Sequence, residues 1–76
     1  MAAPTTRIRL QHERDLVEAA IALVAGGGAR RVSLVVQHGP LILTAAQASA
    51  VRWGVIVRAA WRSGEGACDL IVEPIA

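Results

Sequence analysis

Apolar residues recur at every second position along three stretches of this chain, at 6–10, at 31–37 and at 68–72. Period two is typical of a strand that buries one of its faces, so each stretch predicts a β-strand. In the third stretch, the side chains expected to face inward are Cys68, Leu70 and Val72.

A short apolar run at 41–43 follows a turn at 37–40 and predicts a fourth strand. Pro40 cannot donate the hydrogen bond that closes a two-residue hairpin, so a four-residue loop is expected. Such a loop pairs Val36 with Leu41. In that register the apolar side chains of the two strands lie on the same face of the sheet.

Two other segments carry apolar residues at helical spacing and predict α-helices. The first begins at Glu13 and ends at the glycines 26–28, because glycine accepts the left-handed conformation of a helix C-cap. The second begins at Thr44, which forms a capping box with Gln47, and runs to about Arg62.

The predicted order of elements is therefore βαββαβ within one α+β domain, residues 1–76, in which 1–5 form a flexible N-terminus. Two right-handed crossovers and a central hairpin give a four-stranded antiparallel sheet with spatial order 4-1-3-2. Both helices would lie on one face of this sheet. The predicted fold is ferredoxin-like, a fold that supports many unrelated activities.

A domain of 76 residues is expected to enclose only a small core. Natural domains of this size are usually stabilised further by disulfides, a metal or a partner subunit. Cys68 has no second cysteine, and His12 and His38 lack the spacing of metal ligands, so we expect no disulfide, metal or cofactor. With 54% hydrophobic residues, the chain is expected to form a homo-oligomer, most simply a homodimer.

The second predicted helix is apolar nearly all round, which is typical of a helix covered on two sides. Trp53 and Trp61 are predicted to face the core. On the other side, Val51, Val55 and Ile56 are predicted to contact a second subunit, with arginines around them as a polar rim. The alternative is that these three are scattered exposed aliphatic residues, which are common on protein surfaces.

The charged residues allow a nucleic-acid hypothesis without requiring it. Net charge is only +2, and the presence of eight arginines without a lysine matches the codon usage of a GC-rich genome. The predicted topology brings some of these arginines to one end of the domain, where two-fold symmetry would double a phosphate-binding patch. The predicted nucleic-acid-binding residues are Arg7, Arg30, Arg31, Arg52, Arg58 and Arg62.

Catalysis is not indicated by any motif. The thiol of Cys68 is predicted to be buried near acids, a setting that does not activate a nucleophile. The chain has no secretory signal at its start, and its apolar stretches are interrupted by charges before they reach membrane-spanning length. A cytoplasmic protein without membrane contact is expected, since a lone thiol also suits a reducing compartment.

The segment 39–48, Gly-Pro-Leu-Ile-Leu-Thr-Ala-Ala-Gln-Ala, continues to Ala60 and resembles the strand-then-helix L-T-x-x-Q-A pattern of small accessory proteins of high-GC actinobacteria and their bacteriophages. The resemblance covers about a third of the chain. It implies a protein that interacts with host factors or is associated with DNA. No site residue is carried over from it.

Together these features predict a non-enzymatic, homodimeric accessory or regulatory protein of unknown function that binds a macromolecule. Nucleic acid, and DNA in particular, is the first predicted partner. The alternative is a protein-binding module or an inhibitor of a host protein, which would use the apolar face of the second predicted helix. Steep loss of binding with added salt would distinguish phosphate contacts from an apolar interface.

Overall fold

The computed structural model of the protein describes residues 4–62 and 66–75, with side chains from Ile8 onward. Over this part of the chain the α+β class is confirmed. The elements, in chain order, are α1 (Pro4–Ala25), β1 (Val32–Val36), α2 (Gly39–Trp53), β2 (Val55–Trp61) and β3 (Cys68–Pro74).

The described residues form a three-stranded sheet in which β3 lies between β1 and β2. Both pairings are antiparallel, so the two edge strands run parallel to each other. Val72 in β3 stands between Val32 on one side and Val57 on the other. The predicted four-stranded βαββαβ sheet is not what these residues form, because two of its predicted strands lie in helices.

Both helices pack on the same face of the sheet. The α1 helix lies mainly over the central strand and touches all three, whereas α2 packs on β2. Within the described residues, neither helix is long and apolar enough to cross a membrane. The helix-facing residues predicted for β3 are confirmed, since Cys68, Leu70 and Val72 are fully buried.

The predicted strand at 6–10 is wrong, because these residues belong to α1. Proline is favoured in the first turn of a helix, and α1 starts at Pro4. Leu10 packs against the core one heptad before Val17 and so continues the helical stripe backwards. Of the predicted flexible terminus 1–5, residues 4 and 5 are helical and residues 1–3 lie outside the described part of the chain.

The predicted strand at 41–43 and its capping box are also wrong, because α2 begins earlier, at Gly39. His38 is the N-cap residue, and Pro40 occupies the first turn of the helix. Proline is tolerated there because backbone N–H groups in the first turn make no hydrogen bond within the helix. A Cβ on Gly39 would lie 2.5 Å from the carbonyl oxygen of Gly66 and 2.9 Å from the Cys68 sulfur. The helix therefore starts at a glycine that lets it approach the sheet closely.

The second helix ends at Trp53, about nine residues earlier than the predicted end near Arg62. Gly54 takes the left-handed conformation, with φ 68° and ψ 37°, and its N–H bonds to the carbonyl of Ala50. The β-branched residues that follow, 55–57, open the strand β2. The two elements that the prediction joined into one helix thus lie side by side, which changes the surroundings of every residue after position 54.

The prediction that both tryptophans face the core is wrong. Trp53 is 53% exposed and Trp61 is 52% exposed, because they belong to different elements rather than to one helix face. The predicted glycine cap of the first helix is confirmed. Gly27 has φ +79°, and the N–H of Gly28 bonds to the carbonyl of Leu23 at 2.9 Å.

Candidate protein-interaction groove

An open apolar groove, with a volume of about 380 Å³, lies between the end of α2 and the strand β2. Ala50 and Val57 form its buried inner wall, and Ile75 contributes from beyond the end of β3. We call it the α2–β2 groove. Its lining residues are Gln47, Ala50, Val51, Val55, Ile56, Val57 and Ile75.

All three residues predicted to form a subunit interface line this groove. Val51 is 81% exposed on α2, Ile56 is exposed on β2, and Val55 is buried at 4% exposure. The prediction placed them on one helix face, but the left-handed turn at Gly54 brings them together from two elements. Val55 therefore forms the floor of the groove, while Val51 and Ile56 are available for contact.

The outer edge of β2 borders the groove. Among the described residues β2 pairs only with β3, so the backbone N–H and C=O groups along its other side have no strand to bond. Ile75 is 63% exposed beside the first residue of β2, Val55. The site thus combines exposed aliphatic side chains with free backbone hydrogen-bonding groups, the two features that an extended or helical peptide can use.

One exposed arginine, Arg52, follows the groove residue Val51 in the sequence. Arg52 is exposed in the last turn of α2, where a cation also interacts favourably with the helix dipole. No aspartate or glutamate is among the residues that line the groove in the described structure. Of the arginine rim predicted from the sequence, Arg52 is next to Val51 in the chain but lines a separate cleft with Glu18. An acid, Glu73, stands opposite Ile56 in the sheet.

The structure separates the arginines that were predicted to form one patch. Arg7 lies in the second turn of α1, and its side chain is outside the described part. Arg30 and Arg31 are exposed in the connection after α1. At 1.5 Å per residue, about 27 Å of helix separates Arg7 from Ala25 at the other end of α1. Arg7 and the Arg30–Arg31 pair therefore lie near opposite ends of α1.

The remaining two predicted arginines are ion-paired on the helix-free face of the sheet. Arg58 bonds through its side chain to Glu73, with Nε 3.0 Å from Oε1, and Arg62 lies 3.0 Å from Asp69. Asp69 and Glu73 of β3 pair with these two arginines because β2 is a neighbouring strand of β3.

A second, more polar cleft of about 510 Å³ lies at the other end of α1, around Glu13 and His38. One carboxylate oxygen of Glu13 accepts the backbone N–H of Gln37 at 2.7 Å. The other lies 3.1 Å from the backbone nitrogen of His38 and 3.0 Å from its ring Nδ1. These contacts join α1 to the connection between β1 and α2.

Burial of Glu13 raises the pKa of its carboxyl, but the hydrogen bonds from Gln37 and His38 outweigh this effect and hold the pKa below its usual value. An ionised carboxylate only accepts, so the Nδ1 of His38 carries the hydrogen and its Nε2 is left for solvent or a ligand. The Glu13 carboxylate already occupies the N-terminal region of α2, which would otherwise attract an external anion. Glu13 therefore has a structural role: it holds α1 against the connection between β1 and α2. We call its contacts with Gln37 and His38 the Glu13 latch.

Neither metal chemistry nor thiol chemistry is favoured by the described side chains. They contain no group of three or more His, Cys, Asp or Glu residues arranged to hold a metal ion. Burial raises the pKa of the Cys68 thiol, and the negative charges of Asp69 and Glu13 raise it further. As predicted, Cys68 is buried in a strand near acids, so its reactive thiolate form is disfavoured.

Sequence reasoning missed one groove residue, Ile75, and one residue pair. Only the position of Ile75 after a strand-ending proline could have indicated it. The pairing of Glu13 with His38 spans 25 positions and has no local signal in the sequence. Comparison with protein-family models, with curated proteins and with solved structures finds no match to this chain.

Proposed function

We propose that this protein is a non-enzymatic accessory module that acts by binding another protein in its α2–β2 groove. The partner segment is apolar and carries acidic residues beside its apolar ones. The observation that carries this proposal is that Val51, Ile56 and Ile75 are exposed together around a buried floor beside an unpaired strand edge. Exposed apolar side chains grouped in this way mark interaction sites in soluble proteins.

The chemistry of the partner follows from the charges. Arg52 follows the groove residue Val51 on α2 and is exposed, and no carboxylate among the described residues bonds to it. A partner with aspartate or glutamate flanking its apolar residues would complement this arginine, and the protein's net charge of +2 would assist the encounter. The apolar contacts would supply most of the affinity, with the charges fixing orientation.

Nucleic acid was the first partner predicted from the sequence, and the positions of the arginines make it the second choice. Arg58 and Arg62 already pair with carboxylates, and Arg7 is far along α1 from Arg30 and Arg31. A phosphate backbone requires several cations along one surface. Of the arginines predicted to bind nucleic acid, Arg30 and Arg31 are adjacent and exposed. Phosphate contact through this pair is therefore the competing hypothesis.

The proposal is tested by selecting binders from a random peptide library displayed on phage against the immobilised protein. We expect enriched peptides to combine apolar residues with Asp or Glu. The affinity of the strongest synthetic peptide should fall about tenfold or more in Val51→Glu, equivalent to about 1.4 kcal/mol, because an apolar contact is replaced by a like charge. Added salt should weaken this binding only slightly.

Leu41→Glu is the matched control, because Leu41 is another exposed aliphatic residue of α2 that does not line the groove. It should bind the peptide as the wild type does. A random-sequence DNA duplex serves as the competing probe. Duplex binding that falls steeply with salt, survives Val51→Glu and disappears in the Arg30→Ala, Arg31→Ala double variant would overturn the proposal in favour of nucleic acid, as would enriched peptides indifferent to Val51→Glu.

A further inference from the structure

The other edge of the sheet carries a second apolar groove, of about 280 Å³, between α1 and β1. Leu16 and Leu23 are 49% and 48% exposed on the flank of α1, and Val32 and Leu34 of β1 are only half-buried. We call it the α1–β1 groove. Its lining residues are Leu16, Ala19, Ala20, Leu23, Val32 and Leu34.

The strand that borders this groove has none of the usual protection of a sheet edge. Proteins guard edge strands with charges, prolines, bulges or a covering element, because an unguarded edge pairs with other chains. The sequence of β1, Val-Ser-Leu-Val-Val, has no charge and no proline. Among the described residues, β1 bonds only to β3, so its outer backbone groups are free to pair.

Room for another strand exists beside β1. The α1 helix lies mainly over the central strand β3, and α2 lies over β2, so the helix layer is displaced away from β1. The difference in burial lies at one end of the sheet. Val57 of β2 is buried, whereas Val32, at the same level on the other side of Val72, is half-buried. An added strand would therefore find uncovered apolar side chains at Val32 and Leu34, while Val36 at the other end of β1 is already buried.

We infer that a second copy of this chain occupies the α1–β1 groove, with the two β1 strands pairing antiparallel about a two-fold axis at Leu34. This register sets Val32 of one protomer opposite Val36 of its partner, so the helix-facing sides of both strands coincide. The described strands of the two protomers then form one continuous six-stranded sheet. A symmetric interface needs such a self-complementary surface.

The helix flanks are self-complementary too. Leu16 and Leu23 are seven residues apart, so they lie on the same side of α1 two turns from each other. Across the two-fold axis the α1 helices run antiparallel, which places Leu16 of one protomer near Leu23 of its partner. The pairing thus covers the apolar residues of both layers at once.

The charges at the ends of β1 fit the same arrangement. The residue before β1 is Arg31, and the residue after it is Gln37, whose backbone N–H bonds to the Glu13 carboxylate. In the register about Leu34, Arg31 of one protomer faces Gln37 of its partner. An arginine is therefore brought beside the partner's Glu13 at both ends of the joined strands. Opposite charges meet, which favours this register over a slipped one.

The test is the molar mass of the purified full chain, measured by light scattering over a wide range of concentration. The wild type is expected to reach the mass of two chains, whereas Leu16→Glu and Leu23→Glu are expected to remain at one. Both substitutions are at exposed helical positions, so circular dichroism and thermal melting should show them folded. Leu41→Glu, an exposed position outside both grooves, is the control and should dimerise as the wild type does.

A cysteine at the two-fold axis tests the register itself. In Leu34→Cys the two new thiols would stand on directly opposite residues, with Cα atoms about 4.5–5.5 Å apart, within reach of a disulfide. Oxidation with diamide should link the protomers. In Ser33→Cys the two copies would stand diagonally, about 7–8 Å apart, and should not link. The native Cys68 is fully buried and should contribute no bridge.

The results distinguish this inference from the proposed function. A wild type that stays a folded monomer at every concentration overturns the inference, and so does a dimer that survives both leucine variants. A dimer lost in Val51→Glu but kept in Leu16→Glu would place the second copy in the α2–β2 groove, contradicting the inference and leaving that groove unavailable to another protein. Loss of peptide binding alone, with dimerisation intact, would concern only the proposed function.

Discussion

The two edge strands, β1 and β2, differ in their surroundings although both pair with the same central strand, β3. On the β2 side, α2 covers Val55 and Val57, and Arg58 stands charged on the other face. On the β1 side, Val32 and Leu34 are half-buried, and the strand has no charge. Both strands leave their outer backbone groups without a partner strand among the described residues, so the two edges differ in side-chain cover and in charge, and β1 is the less protected one.

The difference follows from connectivity. The α2 helix joins β1 to β2, and the left-handed turn at Gly54 is so short that β2 must start directly beneath the end of the helix. The α1 helix enters from the N-terminus and is held over the middle of the sheet by the Glu13 latch and by its contacts with α2. Two helices placed in this way leave the flank of β1 uncovered.

The largest expected effect is a difference in the free energy of unfolding between variants of two valines, Val57 and Val32, which flank Val72 at the same level of the sheet. Val57→Ala should lower the free energy of unfolding by about 2 kcal/mol, because a fully buried side chain leaves a cavity. Val32→Ala should lower it by about 1 kcal/mol or less, because Val32 is half-buried. Urea unfolding at low protein concentration measures both. Equal losses would contradict the asymmetry of the two edges.

An intermediate effect should follow removal of the latch that positions α1. Glu13→Gln should lower the free energy of unfolding by about 1–2 kcal/mol at neutral pH, because the two backbone N–H groups lose an ionised acceptor. Hydrogen exchange should show faster opening at Gln37 and His38. Ser49→Ala, which removes an exposed contact between α1 and α2, is the control and should change little.

The same latch predicts a pH dependence. The folded pKa of Glu13 is lowered from the reference value of 4.5, so its contribution is fully present above pH 4.5 and is lost as the pH falls through the folded pKa. The stability difference between wild type and Glu13→Gln should therefore shrink on acidification below about pH 4.5. A difference that stays constant down to the acid transition would contradict the role of the ionised carboxylate.

The smallest effect on stability should come from making the β2 edge resemble the β1 edge. Arg58→Leu removes an exposed ion pair with Glu73, so the free energy of unfolding should change by only about 0.5 kcal/mol or less. Self-association through β2 should nevertheless increase, because a guarding charge is gone. Light scattering against Arg14→Leu, which removes an exposed arginine from a helix, would measure this. Unchanged mass would show that α2 alone protects this edge.

The sequence predicted the strands at 31–37 and 68–72, their buried faces and the glycine cap after the first helix. These features are local. A period of two fixes which side chains share a face, and a glycine triplet favours a left-handed C-cap whatever surrounds it. The α+β class followed from them, as did the burial of Cys68.

Only the tertiary structure decided the segments 6–10, 41–43 and 55–61. Each is a short run that suits either a strand or one turn of helix, so its conformation depends on which neighbour it meets. Residues 55–61 are a strand because β3 is available to pair with them, and α2 could begin at Gly39 because the sheet leaves space there for its backbone alone. The Glu13–His38 latch and the two grooves arise from the same long-range packing, which no local pattern encodes.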